Sequence, residues 1–416
     1  MTLIAVATVA AANLQYCWTL FSDPLADGYD VSLAHVQIAF SLFIIAQTWL
    51  LPVEGWLVDR YGPRLTFLAA GALVGLSWIG TADFAPSIEA VWAWYLVGGA
   101  GVGIIYGGGL GVVVKWFPDR RGLVAGISAA CYGSGTLLTI TPISHMIDST
   151  GYRHTLLVWG IVLGAVCCAC AVFLRAPDPA ATGAEPGAAV RAAQTRRNLG
   201  PAKVLRTPTF WALYLATTLM SFTGLVITAQ IGPIAKDYGA DETTVAFGLT
   251  GLTLAIQLDR VLNGISRPIW GWVSDRIGRY TAMTIAFTFQ AAGIVIWMAF
   301  VDYPVFFIIC SGFVYIGWSE IYSMGAAMVA DLYGPRFAAT NYGVLFTGKG
   351  FASILAGPVT AWLVEGNGGN WIPVFATMAA CAAAAAALVF FWLRPAAARL
   401  HREEDRVVDQ VAHVSA

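Results

Sequence analysis

Charge is what this chain lacks most. Only 11% of its 416 residues are Asp, Glu, Lys or Arg, whereas soluble domains carry about a quarter. A water-soluble globule with a charged shell is therefore excluded. The net charge of −1 is uninformative, but the placement of the charges is not. The chain also lacks any nucleophile–base–acid set, phosphate-binding loop or metal-ligand cluster. No enzyme is expected, and no cofactor, metal or nucleic-acid partner. The seven cysteines all lie in apolar runs. "CCAC" at 167–170 has ligand-like spacing, but no His, Asp or second Cys pair accompanies it. Small filler in a membrane core is the expected role. A cleavable leader pattern is missing too: apolar residues run from Leu3 to about Leu20 without a basic segment before them.

What is present is apolar. Hydrophobic residues make up 58% of the chain, with 16 Trp and 44 Gly, and mean hydropathy is +0.70. The expected solvent is a bilayer. Apolar runs bounded by Gly, Pro and charge occur at 2–21, 34–57, 65–83, 88–115, 122–147, 152–174, 209–235, 243–272, 280–300, 304–330, 339–364 and 371–393. Each is long enough to cross about 30 Å as a helix. The prediction is an all-α integral membrane protein with 12 transmembrane helices. Residues 1–175 form one six-helix half and 209–394 the other. An Ala/Pro/Gly/Arg-rich linker at 176–208 joins them, and a tail follows at 395–416. "GVGIIYGGG" lies inside an apolar run, where glycines serve close helix packing.

Basic residues assign the sides. Of 23 Lys and Arg, 18 fall in alternate loops, the linker and the tail; only Arg153 and Lys236 fall in the opposite loops. The positive-inside rule then places both termini in the cytoplasm, in a multi-pass protein expected in a bacterial inner membrane.

The chain repeats itself. "PVEGWLVDRYGPR" from Pro52 matches "PIWGWVSDRIGR" from Pro268, 216 positions later. The same offset pairs Gly101 with Gly317, Tyr106 with Tyr322, and Pro142 with Pro358. Repeated halves with a site between them near the midplane are a transporter architecture. In each copy Gly55 or Gly271 is expected to permit close helix approach. Asp59, Arg60, Asp275 and Arg276 are expected to gate conformation through charge pairs at the cytoplasmic face.

Three cations remain inside the runs: Arg260, Arg267 and Lys349. Each is costly there, so each needs a reason. Asp259, Asn263 and Arg267 are spaced by four and share a helix face. Pro268 is expected to break that helix by leaving the Gly264 carbonyl without its donor. Arg267 offers a planar fork suited to a carboxylate. Lys349 lies midway along its run between Gly348 and Gly350, which are expected to give its stem room. Arg260 is expected to snorkel or to pair with Asp259 or Glu320. Gln15, Tyr16, Tyr106, Tyr132, Trp318 and Tyr322 supply polar and aromatic surface around the two cations. Together these residues suit a small carboxylate anion. Asp259, Asn263 and Glu320 are candidates for coupling or for tuning the site. His145, His154 and Glu54 read as peripheral or structural.

The Gly-x-x-x-Asp-Arg-x-Gly element resembles the loop signature of the major facilitator superfamily. "LQYCWTLFSDPL", "GAGVGIIYGGG", "WFPDRRGLVAG", "NGISRPIWGWVSDRIGRY" and "NYGVLFTGKGFAS" resemble its oxalate:formate antiporter branch, near the monocarboxylate transporters, over nearly the whole chain. The resemblance implies that Arg267 and Lys349 are the two substrate-binding cations. It also implies binding roles for Gln15, Tyr16, Tyr106, Tyr132, Trp318 and Tyr322. Phe346 stands where the oxalate exchanger has tryptophan, while Asp259 and Glu320 add acids. The expected function is alternating-access exchange of small carboxylates such as oxalate and formate, by a monomer. The alternative is proton-coupled monocarboxylate symport, with Asp259 or Glu320 carrying the proton. A sensor without flux is a third class, for which the short tail offers no signalling domain.

Overall fold

A computed structural model describes residues 1–116, 121–175, 198–246, 248–334 and 337–399. Among these, the side chains of Asp59, 114–115, 121–125, Asp275, Glu320, 322–323, 326 and 339 lie outside the description. So do the linker segment 176–197 and the tail beyond 399.

Helices dominate, as a chain with so little polar surface requires: a helix satisfies its backbone hydrogen bonds within itself. In order they are α1 (Thr2–Tyr16), α2 (Trp18–Tyr29), α3 (Leu33–Trp49), α4 (Leu51–Asp83), α5 (Ile88–Gly103), α6 (Gly109–Trp116), α7 (Arg121–Gly133), α8 (Ile140–Thr150) and α9 (Tyr152–Phe173). The short α10 (Pro201–Val204) leads to α11 (Pro208–Asp237), α12 (Gly251–Ile277), α13 (Arg279–Phe300), α14 (Pro304–Trp318), α15 (Glu320–Tyr333), α16 (Ala338–Ile354), α17 (Thr360–Gly366) and α18 (Ile372–Leu388). Single π turns at Ile104–Gly108, Leu355–Val359 and Val389–Leu393 interrupt otherwise continuous helix.

Seven helices among the described residues are long and apolar enough to cross a membrane. Two bent pairs, α1 with α2 (40°) and α3 with the start of α4 (52°), raise the number to nine. The other three expected runs have physical reasons to fall short. A turn at 134–139 divides 122–147, and Ser319 divides 304–330. The run expected at 243–272 is corrected at its start. Thr244–Ala246 and Leu249–Thr250 form a small antiparallel hairpin, turned by Gly248 at φ +72°, where β-branched residues favour strand. Thr250 then caps α12 by accepting the Thr253 N–H at 3.3 Å.

Pro268 does not break its helix: α12 runs from Gly251 to Ile277 through it. Proline has a helical φ, and one lost hydrogen bond is tolerated where neighbours pack around the turn.

Glycine sets helix spacing, though not where the loop motif placed it. A Cβ on Gly55 or Gly271 would meet nothing within 4 Å, so the expected close approach there is corrected. The tight contact is between α4 and α9. A Cβ on Gly164 would fall 2.8 Å from the Gly75 Cα, and one on Gly75 3.0 Å from the Gly160 carbonyl. Two small-x-x-x-small faces meet here.

The sequence repeat has counterparts in the packing. A Cβ on Gly101 would fall 2.8 Å from the Ala70 carbonyl, and one on Gly317 2.8 Å from the Ala286 carbonyl. Gly62 and Gly278 share φ values of 78° and 85°, which glycine alone adopts readily.

Gly164→Leu should remove about 1–3 kcal/mol by overpacking the α4–α9 contact. Gly126→Ala, with no atom within 4 Å of its new methyl, should not. Thermal unfolding of the detergent-solubilised protein checks both; equal melting temperatures would contradict the contact.

Candidate functional site

Helix interruptions deliver the site residues of the N-terminal helices. Tyr16 is the last residue of α1, before the bend at Cys17. Gln47 lies just before the α3–α4 bend, where Pro52 opens the next helix. Tyr106 occupies the π turn Ile104–Gly108, and Tyr132 sits at the end of α7, before the 134–139 turn. Bends and π turns re-aim side chains that a straight helix would stack along its own surface.

From the C-terminal helices come two buried cations. Lys349 on α16 is 5% exposed and Arg267 on α12 is 1% exposed. Both line one small, tightly closed pocket together with Tyr16, Tyr106, Tyr132 and Phe346. No acidic side chain lines it among the described residues.

Neutral groups hold each cation. The Lys349 Nζ donates to the Gln47 Oε1 at 2.9 Å and the Gln15 Oε1 at 3.2 Å. The Tyr132 hydroxyl donates to the Gln15 Oε1 at 2.8 Å and accepts from the Gln47 Nε2 at 2.5 Å. These four side chains close a ring that joins α1, α3 and α7 to α16. The Arg267 Nε and Nη2 donate to the Asn263 Oδ1, both at 3.3 Å. The Asn263 Nδ2 in turn reaches the Gly133 carbonyl at 3.3 Å and the Tyr16 hydroxyl at 3.5 Å. Amide carbonyls satisfy a cation's donors without themselves carrying a countercharge.

Six of the expected residues converge here: Arg267, Lys349, Gln15, Tyr16, Tyr106 and Tyr132. Asn263 joins them as the partner of Arg267. Trp318 lies elsewhere, fully buried. Its ring meets Tyr315 edge-on at 5.4 Å and blocks space above Gly224. Glu320 and Tyr322 belong to the first turn of α15, but their side chains lie outside the description.

Asp259 accepts a hydrogen bond from the Ser311 hydroxyl at 3.0 Å. Eight residues on one helix separate it from Arg267 by about 12 Å. Arg260 does not snorkel. It is 2% exposed and lies between the rings of Tyr16 (4.1 Å) and Tyr315 (4.4 Å).

The glycines beside Lys349 serve neighbouring helices rather than its stem. A Cβ on Gly350 would strike the Trp49 indole at 2.3 Å, and one on Gly348 the Thr218 hydroxyl at 2.4 Å. They let α16 press against α3 and α11. In the loop motifs, Arg276 stacks 3.9 Å over Trp272 of its own helix, and Arg60 lies 5.5 Å over Trp56. The side chains of Asp59 and Asp275 lie outside the description.

Gln47 is the residue that charge patterns pass over. Its signal is a single amide in the apolar stretch "FIIAQTWLL". Tyr342 is a second: with Thr217, Ser221, Ile321, Leu345, Phe346 and Lys349 it lines an adjoining cavity. Its neighbours Asn341 and Gly343 place it within a recognised motif, yet its own role follows only from the helix face it occupies.

The site thus combines two buried cations with aromatic rings and side-chain amides. A profile of the Major Facilitator Superfamily matches residues 3–258 and again 218–413. The chain belongs to that superfamily. Among its curated members, the oxalate:formate antiporter of Oxalobacter formigenes is 33% identical over 362 residues, spanning 86% of this chain and 83% of the relative. The uncharacterised MFS-type transporter YhjX of Escherichia coli is 26% identical over 85% of both chains. Monocarboxylate transporter 11 of Mus musculus is 26% identical over 66% of this chain and 59% of its own length. This superfamily member is a multi-pass membrane transporter, consistent with its apolar helices.

Asn263→Leu should lower stability by about 1–3 kcal/mol, because a buried guanidinium loses a charged hydrogen bond. Asn263→Asp should restore it. Thermal unfolding without substrate measures this, and a fully stable Asn263→Leu protein would contradict the pairing.

Proposed function

We propose that this protein exchanges small carboxylates, of the oxalate and formate type, by alternating access between two six-helix halves, 1–175 and 209–394, built from twelve membrane spans. One observation carries the proposal: two cations and no acid line the central cavity among the described residues. A dianion such as oxalate matches two cations in charge. The relative named for oxalate and formate supports that choice of substrate. The paired Gly101 and Gly317 contacts support the two-half reading.

Substrate is held by Arg267 as a fork and Lys349 as a point charge. Tyr16, Tyr106 and Tyr132 add hydroxyls and ring faces, with Gln15 and Gln47 as neutral polar partners. The Gln15 Nε2 is buried and has no hydrogen-bond partner among the described residues, so it is free to donate to a carboxylate oxygen. Without an anion, the like charges of Arg267 and Lys349 oppose closure around each other. With one, closure is favoured, which converts leak into exchange. Arg60, Arg276 and the aspartates beside them are the expected gates on the face carrying the basic loops. That face is cytoplasmic in this reading, as are both termini, in a bacterial inner membrane.

Proton-coupled symport of a monocarboxylate requires an acid near the substrate. Asp259, one of the two candidate carriers, is instead bonded to Ser311 outside the cavity lining, which disfavours symport through it; the side chain of Glu320, the other, lies outside the description.

Arg267→Gln and Lys349→Gln should each reduce oxalate counterflow in proteoliposomes to about 1% of wild type or less, the loss of one or two charge-assisted hydrogen bonds. Insertion into the membrane should stay normal. Retained counterflow in both variants would refute the two-cation site. Lactate uptake driven by a proton gradient, with no oxalate counterflow, would refute exchange.

A further inference from the structure

Arg260 is a third cation in the membrane interior, and the central site does not use it. It precedes Arg267 by seven residues, two helical turns, so it lies on the same face of α12 about 10 Å farther from the basic end. Its guanidinium is sandwiched between Tyr16 of α1 and Tyr315 of α14. Its Nε and Nη1 are buried without a hydrogen-bond partner among the described residues. Asp259, its neighbour in sequence, attracts it electrostatically but accepts its hydrogen bond from Ser311, and the Tyr315 hydroxyl meets one other edge of the guanidinium. A cation serving packing alone has its donors satisfied, because an unmade hydrogen bond on a buried charged group is expensive.

Tyr16 links this cation to the central site. Its ring covers Arg260 at 4.1 Å, while its hydroxyl lies 3.5 Å from the Asn263 amide that positions Arg267. Tyr16 belongs to the N-terminal helices; Arg260 and Tyr315 belong to the C-terminal ones. Parting of the two sets on the side away from the basic loops removes the Tyr16 ring. Tyr315 stays, and its own hydroxyl is anchored to Thr228 at 2.8 Å. One face of the guanidinium and its idle donors then meet water.

We propose that Arg260 is a second anion-binding position, a landing site for the carboxylate on the route between the central cavity and the face opposite the basic loops, covered by Tyr16 in this conformation. The inference rests on the carboxylate-exchange reading above. On closure, the returning Tyr16 ring displaces the carboxylate from Arg260 and leaves Arg267 and Lys349 as the nearest cations. A landing site affects entry from one side only. A structural cation affects both sides equally.

The test is sided kinetics with labelled oxalate, in right-side-out and inside-out vesicles carrying wild type, Arg260→Gln or Arg260→Lys. In Arg260→Gln, the KM at the face opposite the basic loops should rise about tenfold, the equivalent of one charge-assisted hydrogen bond. The KM at the basic face should stay at the wild-type value. Arg260→Lys keeps the charge without the fork, so its rise should be smaller and equally one-sided. If Arg260→Gln fails to reach the membrane, the Arg260→Lys measurement decides. Equal changes on both faces, or none, overturn the landing site while leaving exchange intact. Absence of oxalate counterflow in the wild type overturns both.

Discussion

The structure turns on the burial of two like charges, Arg267 and Lys349, each held by side-chain amides. A buried cation is tolerated when it is hydrogen-bonded, and the partner determines what remains. A carboxylate would neutralise Lys349 and fill the site. The carbonyls of Gln15 and Gln47 satisfy its protons and leave its charge. Asn263 does the same for Arg267. Fixed neutral dipoles thus satisfy buried donors without adding a countercharge. It also fixes how the two sets of helices meet, because both acceptors of Lys349 come from α1 and α3.

That requirement explains the irregular helices. An amide or hydroxyl must aim inward at a set depth, and a straight helix offers few such positions. The bends after Tyr16 and Gln47, the π turn at Tyr106 and the turn after Tyr132 each free a side chain from its own helix. On the other side, Gly348 and Gly350 bring α16 against α3 and α11. Lys349 then reaches glutamine partners without the backbone itself bending at that point.

The cations were legible in the sequence because charge in an apolar run stands out at any depth. The repeat was legible because both copies keep the Gly, Asp, Arg and Pro of the same loop. Gln47 was not, since a lone amide carries no charge and its importance lies in which helix it faces. The glycines show the same limit. Gly55 and Gly271 stand in a recognised motif yet touch nothing nearby, while Gly164 and Gly75 carry the tightest α4–α9 contact. Contact depends on the opposing helix, which periodicity within one helix cannot specify. Pro268 misled in the same way, because its neighbours support the helix through it. Trp318 had the chemistry of a site residue, but packing turned its ring against Gly224 and Tyr315.

Magnitudes decide whether three cations so near one another are compatible with a working site. At an effective dielectric of about 20, two charges about 10 Å apart repel by about 1.7 kcal/mol. A single charge-assisted hydrogen bond contributes about 1.5–3 kcal/mol. The repulsion between Arg260 and Arg267 is therefore within reach of one hydrogen bond, and an anion bound at either position offsets it. The same comparison limits how tightly the empty protein can stay closed. Arg267 and Lys349 are held by amides that satisfy donors without supplying a countercharge. A dianion entering the cavity removes charge at Arg267 and Lys349 together, a change that rearranging amides and hydroxyls cannot match. In the exchange reading, a preference for the loaded, closed protein follows from two cations in a lining with no acid among the described residues. An acidic side chain introduced among Tyr16, Tyr106 and Tyr132 would erase it even with every helix in place.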